Sequence, residues 1–164
     1  MEVNFKKLNK YAHNPTRGSD YAAGYDLYAA FDSNKHLLIP PHETVKIGTG
    51  IAMSLPNTMF GAIFARSGIA TKRGLRPANA VGVIDADYTG EIIVALHNDT
   101  NEVQEITGGE RIAQLVIIPY AQAYFCEVRE LEETKRGDGG FGSTDQIPGQ
   151  MSIDDYGVNI QPVI

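Results

Sequence analysis

The clearest periodicity in the chain lies in "VKIGTGIAMSLP", where Val45, Ile47, Thr49, Ile51, Met53 and Leu55 occupy every second position. A period of two predicts a strand with one buried face. Val3 and Phe5 alternate in the same way within "EVNFKKL". The unbroken apolar runs "EIIVALHN" and "RIAQLVIIPY" predict short strands buried on both faces. Pro40, Pro41, Pro56, Pro77 and Pro119, together with many of the 17 glycines, punctuate these runs. One segment alone, "SGIATKRG", predicts a helix, with Ser67 as its cap and Gly74 in the left-handed position after it. Many short strands separated by turn signals predict an all-β sandwich or barrel rather than alternating βαβ units. The apolar periodicity stops near residue 134, which predicts a mobile tail.

At 164 residues the chain predicts a single domain with its own core. A net charge of −6 carries no basic footprint for nucleic acid or an anionic membrane, so a polyanionic ligand must be held by local groups. The single cysteine, Cys126 in "AYFCEV", excludes an internal disulfide and a cysteine-based zinc site and reads as a small buried hydrophobe. His13, His36, His42 and His97 are scattered without metal-site spacing and read as surface or strand residues. There is neither a signal-peptide run at the N-terminus nor a window approaching the roughly 18 apolar residues of a membrane span. The expectation is a soluble intracellular protein.

Four stretches could carry chemistry. In "NAVGVIDADYTGEIIVAL" an apolar run leads into Asp85, Asp87 and Tyr88, turns at Gly90 and becomes a strand again, which predicts a β-hairpin. Asp and Gly are ordinary turn residues there; a carboxylate directly after Val83 and Ile84 is also placed to be desolvated and to act as a base. In "FARSGIATKRGL", Arg66 and Ser67 open the predicted helix, where an arginine fork, a hydroxyl and free backbone N–H groups suit a phosphate, or form a solvated turn. Asp26 in "AAGYDLYAA" needs a partner, for example an arginine across a subunit boundary. Gln114 in "GGERIAQLVI" must satisfy both faces of its amide, structurally or on a ligand.

Taken in order, "AGYDL", "ARSG", "NAVGVIDADYTGE", "GERIAQLVI" and "RGDGGFGSTD" resemble the five motifs of the trimeric deoxyuridine triphosphate nucleotidohydrolases, the dUTPases, over about residues 3–144. The resemblance implies an all-β, jelly-roll-like β-barrel with one short helix and a flexible C-terminal arm. It implies a homotrimer whose active sites are shared between subunits. The chain then divides into a barrel domain (1–133), a Gly-rich active-site lid (134–145) and a C-terminal extension (146–164).

By the same resemblance, the chain hydrolyses dUTP to dUMP and pyrophosphate by in-line attack of water on the α-phosphorus. That activity limits uracil incorporation into DNA and supplies dUMP for dTMP synthesis. Asp85 matches the general base. Tyr88 matches the residue that packs on the deoxyribose and excludes a 2′-hydroxyl. Asn79 and the hairpin backbone at Gly82, Val83 and Ile84 match the reader of uracil's polar edge; a mismatched base would leave buried groups unpaired at about 1–3 kcal/mol each. Arg66, Ser67, Gly68 and Gln114 match phosphate contacts, and Asp26 a supporting carboxylate. Mg2+ is implied as the cofactor, held through substrate phosphates and water rather than by direct protein ligands. The glycines of "RGDGGFGSTD" let Phe141 stack on uracil while Arg136, Gly142, Ser143 and Thr144 gather the γ-phosphate as the lid closes.

Two departures stand out. Asp145 follows Thr144 where the family motif usually ends in glycine, which sets a carboxylate near the phosphates. Beyond it, "QMSIDDY" loosely resembles peptides that dock on the sliding clamps of DNA replication, with Gly157 in place of their second aromatic, so residues 146–164 are a candidate site for a protein partner. The related dCTP deaminases carry a catalytic glutamate five residues after the hairpin glycine. Ala95 stands at that position here.

Overall fold

The computed structural model describes residues 1–140. Phe141, Gly142, Ser143, Thr144 and Asp145 of the expected lid, and the whole 146–164 extension, lie outside the described residues. Strands dominate and a single short helix is present among the described residues. No helix among the described residues is long and apolar enough to cross a membrane.

Five antiparallel strands form the largest sheet, in the order β2 (Thr16–Arg17), β3 (Tyr25–Tyr28), β12 (Arg111–Pro119), β7 (Met59–Phe64), β9 (Gly82–Ile84). A three-stranded sheet has β10 (Ile93–Asn98) between β5 (Thr44–Gly48) and β8 (Leu75–Pro77). Two further pairs complete the set: β1 (Asn4–Lys7) with β6 (Ile51–Ser54), and β4 (His36–Ile39) with β11 (Gln104–Thr107). The core between them is aliphatic, with Leu27, Ile39, Ile47, Leu75, Leu96 and Ile112 fully buried. The chain separates into two compact units at Ala123/Tyr124, and no strand follows Pro119 among the described residues.

Several expected elements take a different form. Ile47, Thr49, Ile51, Met53 and Leu55 are buried as expected, but Gly50 and Ala52 between them are buried too, and the run is two strands in different sheets, because Gly50 turns the chain at φ +64°. That turn admits no side chain: a Cβ on Gly50 would sit 2.7 Å from Ala12 Cβ and 2.9 Å from Ala30 Cβ. β10 is buried on alternate residues rather than on both faces, and Phe5 in β1 is 44% exposed. β12, flanked by two neighbours, still leaves Gln114 and Val116 to Ile118 only partly buried. The predicted hairpin around Gly90 is also absent. β9 pairs with β7 and β10 with β5 and β8, so the 85–92 segment carries the chain from one sheet to another. Cys126 is exposed rather than buried, and stands beyond Pro119, where the last strand of the described residues ends. The four histidines are where they were expected, His36 and His97 in strands and His13 and His42 exposed.

One buried polar residue ties turns together. Asn98, fully buried, donates to the carbonyls of Ile39, Pro40 and Glu102 at 3.0, 3.1 and 2.7 Å, while its Oδ1 accepts from the Thr100 N–H and hydroxyl at 2.9 and 2.8 Å. Asn98→Ala strands these backbone groups. It should cost on the order of 3 kcal/mol, read as a lower urea midpoint at unchanged m-value.

Candidate active site

The site is built around α1 (Ser67–Arg73), which follows directly from β7. Its N-cap is Arg66, with extended backbone and no side-chain cap bond. Ser67 is therefore the first helical residue rather than the cap, and its exposed hydroxyl is left for another partner. The helix is seated by buried Ile69, carries Lys72 and Arg73 in its last turn, and ends at Gly74 in the left-handed conformation (φ +61°), as its sequence predicts.

Arg66 is aimed by Asp26. Asp26 sits in β3, opposite Gln114 of β12, and is 7% exposed. Its Oδ1 accepts from Arg66 Nε at 2.7 Å and its Oδ2 from an Arg111 terminal amino group at 3.2 Å. The expected need for a partner is thus met by two arginines of the same chain. Burial makes a lone carboxylate costly, and the two cations offset that cost. Arg111 was not among the residues the sequence singled out: its place at the edge of an apolar run gives no sign that it reaches Asp26, 85 residues away in the chain.

Gln114 donates from Nε2 to the Ala65 carbonyl at 2.9 Å and presses its Oε1 against Gly24, where a Cβ would lie 2.4 Å from that oxygen. Gly18, Ala22, Gly24, Asp26, Arg66, Ser67 and Gln114 line one depression of about 190 Å³. Segments far apart in sequence therefore converge, and Gly68 beside them faces open space.

The Asp85 segment lies in a second depression of about 170 Å³, lined by Val83, Ile84, Asp85, Tyr88, Glu91 and Ile93. The apolar wall is present, but Asp85 itself is exposed, so the desolvation expected of it is not supplied by this chain alone. A turn bond from Tyr88 N–H to the Asp85 carbonyl (3.1 Å) sets the loop, and the Tyr88 hydroxyl donates to the Glu91 carbonyl at 2.8 Å. Asn79 is exposed in the turn before β9, next to Ala80 at φ +60°, a conformation that costs a residue with a Cβ about 1 kcal/mol. Larger voids of about 290 and 240 Å³ open along β1, and neither contains a candidate residue. In the unit that begins at Tyr124, Arg136 is exposed and donates from Nε to the Gly139 carbonyl at 2.8 Å.

Comparison with known proteins defines the family of this chain. The sequence profile of the dUTPase family matches residues 10–145. A deoxyuridine 5'-triphosphate nucleotidohydrolase of Desulfitobacterium hafniense is 46% identical over 145 residues, 88% of this chain and 95% of that protein. The dUTPase of Staphylococcus bacteriophage 80alpha, solved with dUPNHPP, superposes with a TM-score of 0.78 at 32% identity, covering 87% of this chain and 97% of that one. The dUTPase of phage phi11 of S. aureus, solved as an aspartate variant that reveals the coordination of a structural Mg(II) ion, superposes with a TM-score of 0.71 at 26% identity, covering 81% and 100%. The class these findings define is a hydrolase. The chain belongs to the dUTPase family, whose reaction is the hydrolysis of dUTP to dUMP and pyrophosphate.

Proposed function

We propose that this chain hydrolyses dUTP to dUMP and pyrophosphate, with Asp85 as the general base for water attacking the α-phosphorus. The observation that carries the phosphate half of this reading is the Asp26–Arg66 pair. It engages Nε and leaves the two terminal guanidinium amino groups to meet phosphate oxygens beside Ser67, Gly68 and Gln114. Asn79 and the backbone of Gly82, Val83 and Ile84 read the uracil edge, and Tyr88 packs on the deoxyribose. Arg136, Phe141, Gly142, Ser143 and Thr144 close over the base and the γ-phosphate, the last four from outside the described residues.

The two halves of the site occupy separate depressions on one chain. This supports a homotrimer in which Asp85 and Tyr88 of one copy complete the Arg66 depression of another, and in which the neighbour also removes water from around Asp85. The donor chemistry of the Arg66 depression fits Mg2+ carried on the substrate: both Asp26 oxygens are engaged by arginines there, and the triphosphate and water would supply the ion's hard oxygens. The ion supplies neutralisation of phosphate charge, and the chain supplies orientation and the base.

The test is pyrophosphate release with Mg2+ from dUTP, UTP, dCTP and dTTP in parallel, with the nucleoside product identified. Release from dUTP at least about 100-fold faster than from the others, yielding dUMP, is expected. Equal rates on all four would remove the base- and sugar-reading roles, and ammonia from dCTP would replace the reaction itself.

A further inference from the structure

Glu91 directly follows the loop that carries Asp85 and Tyr88, and nothing in the reaction as proposed uses it. Its Oε1 accepts the Gly50 N–H at 2.8 Å, across the corner where β5 turns into β6. The carboxylate lies flat on Gly48, where a Cβ would come within 2.5 Å of Oε1 and 3.1 Å of the carboxyl carbon. Beneath it the corner is held by hydrogen bonds. Buried Thr49 donates its N–H and its hydroxyl to the Ile92 carbonyl at 3.1 and 2.7 Å, and the Ile92 N–H donates to the Ile51 carbonyl at 2.8 Å.

The backbone of the same glutamate holds Tyr88. Its carbonyl accepts the phenol hydroxyl at 2.8 Å, and the ring covers Gly90 so closely that a Cβ there would lie 2.7 Å from the hydroxyl oxygen and 2.8 Å from the carbon bearing it. Tyr88 is otherwise 44% exposed on an exposed loop, and would sample several rotamers without that seat. Its orientation therefore depends on where the Glu91 carbonyl stands; the Ile92 N–H of the same peptide unit holds one side of that carbonyl's plane, and the Glu91 side chain ties the residue itself to the β5–β6 corner.

We propose that Glu91 is a positioning residue for sugar discrimination, its carboxylate fastening the loop to Gly50 so that the Tyr88 ring stays where a 2′-hydroxyl would collide with it. This inference rests on the sugar-packing role proposed for Tyr88. A loosened ring can retreat from a 2′-hydroxyl at little cost, whereas a fixed ring cannot, so the anchor acts mainly on the ratio between deoxyribo- and ribonucleotide rather than on turnover of dUTP.

Full-length wild type, Glu91→Ala, Glu91→Gln and Gly48→Ala are compared by kcat and KM for dUTP and UTP, with a thermal melt of each. Gln keeps an oxygen for the Gly50 N–H, so E91Q should retain the wild-type dUTP/UTP ratio of kcat/KM. E91A should lower the ratio by about tenfold or more, chiefly by admitting UTP, with kcat for dUTP changed much less. Where E91A does not fold, G48A serves the same end by pushing the carboxylate off the corner from the opposite side, and it should lower the ratio in the same direction. A wild type that hydrolyses dUTP and rejects UTP, beside an E91A or G48A protein with an unchanged ratio, overturns the inference and leaves the proposed function standing. An E91Q protein as relaxed as E91A also overturns it, because the acceptor oxygen would then not be what matters. A wild type that does not prefer dUTP to UTP defeats the role of Tyr88 first, and the inference with it.

Discussion

Asp85→Asn should lower kcat for dUTP by about 10²–10⁴-fold while leaving dUTP affinity within a few-fold. The amide is nearly the same size as the carboxylate but has no basic oxygen to take a proton from water. The loop does not depend on the side chain for its shape, because the turn is closed by the Asp85 carbonyl and the Tyr88 N–H. Asp85 is exposed and makes no ion pair with the described residues, so the folded chain loses little with it. Steady-state turnover and calorimetric binding of dUTP, measured on the same preparation, separate the two quantities. Turnover at the wild-type rate would take Asp85 out of the reaction.

Removal of residues 134–164 should reduce dUTP turnover by roughly 10²-fold or more, the scale at which lost orientation and lost anion contacts act. It should leave the thermal melt close to that of the full chain. Among the described residues the buried core belongs to the unit Met1–Ala123, so that unit keeps its own aliphatic packing when the segment is removed. What the deletion takes away is Arg136, Phe141, Ser143 and Thr144, the groups proposed to cover the base and the γ-phosphate. A truncated protein that turns over dUTP at the full rate would show that these residues do not form part of the working site.

Wherever periodicity and punctuation are strong, the fold was legible in the sequence. Ile47, Ile51, Met53 and Leu55 of the alternating run are core residues, and Gly74 marks the end of the helix. The site motifs could be read as motifs because each is a short run of unusual composition: Asp85 after two aliphatics, Arg66 and Ser67 beside Gly68, Asp26 within an apolar strand. Partnership was not legible in the same way. Nothing local distinguishes the arginines that reach Asp26 from those that do not, and Glu91 looks like any charged residue after a turn until Gly48 and Gly50 are brought beneath it.

Local composition and spacing were enough for the strand-rich class, the one short helix among the described residues, many of the aliphatic core positions and the five ordered segments that place the chain among the dUTPases. Tertiary structure alone decided that the Val45–Leu55 run bends between two sheets and that the segment around Gly90 crosses between sheets instead of folding back as a hairpin. It also decided that Asp26 is neutralised by Arg66 and Arg111 of its own chain, and that Asp85 and Arg66 line separate depressions. The physical reason is common to these outcomes. Strand pairing and ion pairing are contacts between residues tens of positions apart, chosen by which arrangement buries the aliphatic faces and leaves no carboxylate or backbone group unpaired. That choice belongs to the whole chain rather than to any stretch of it.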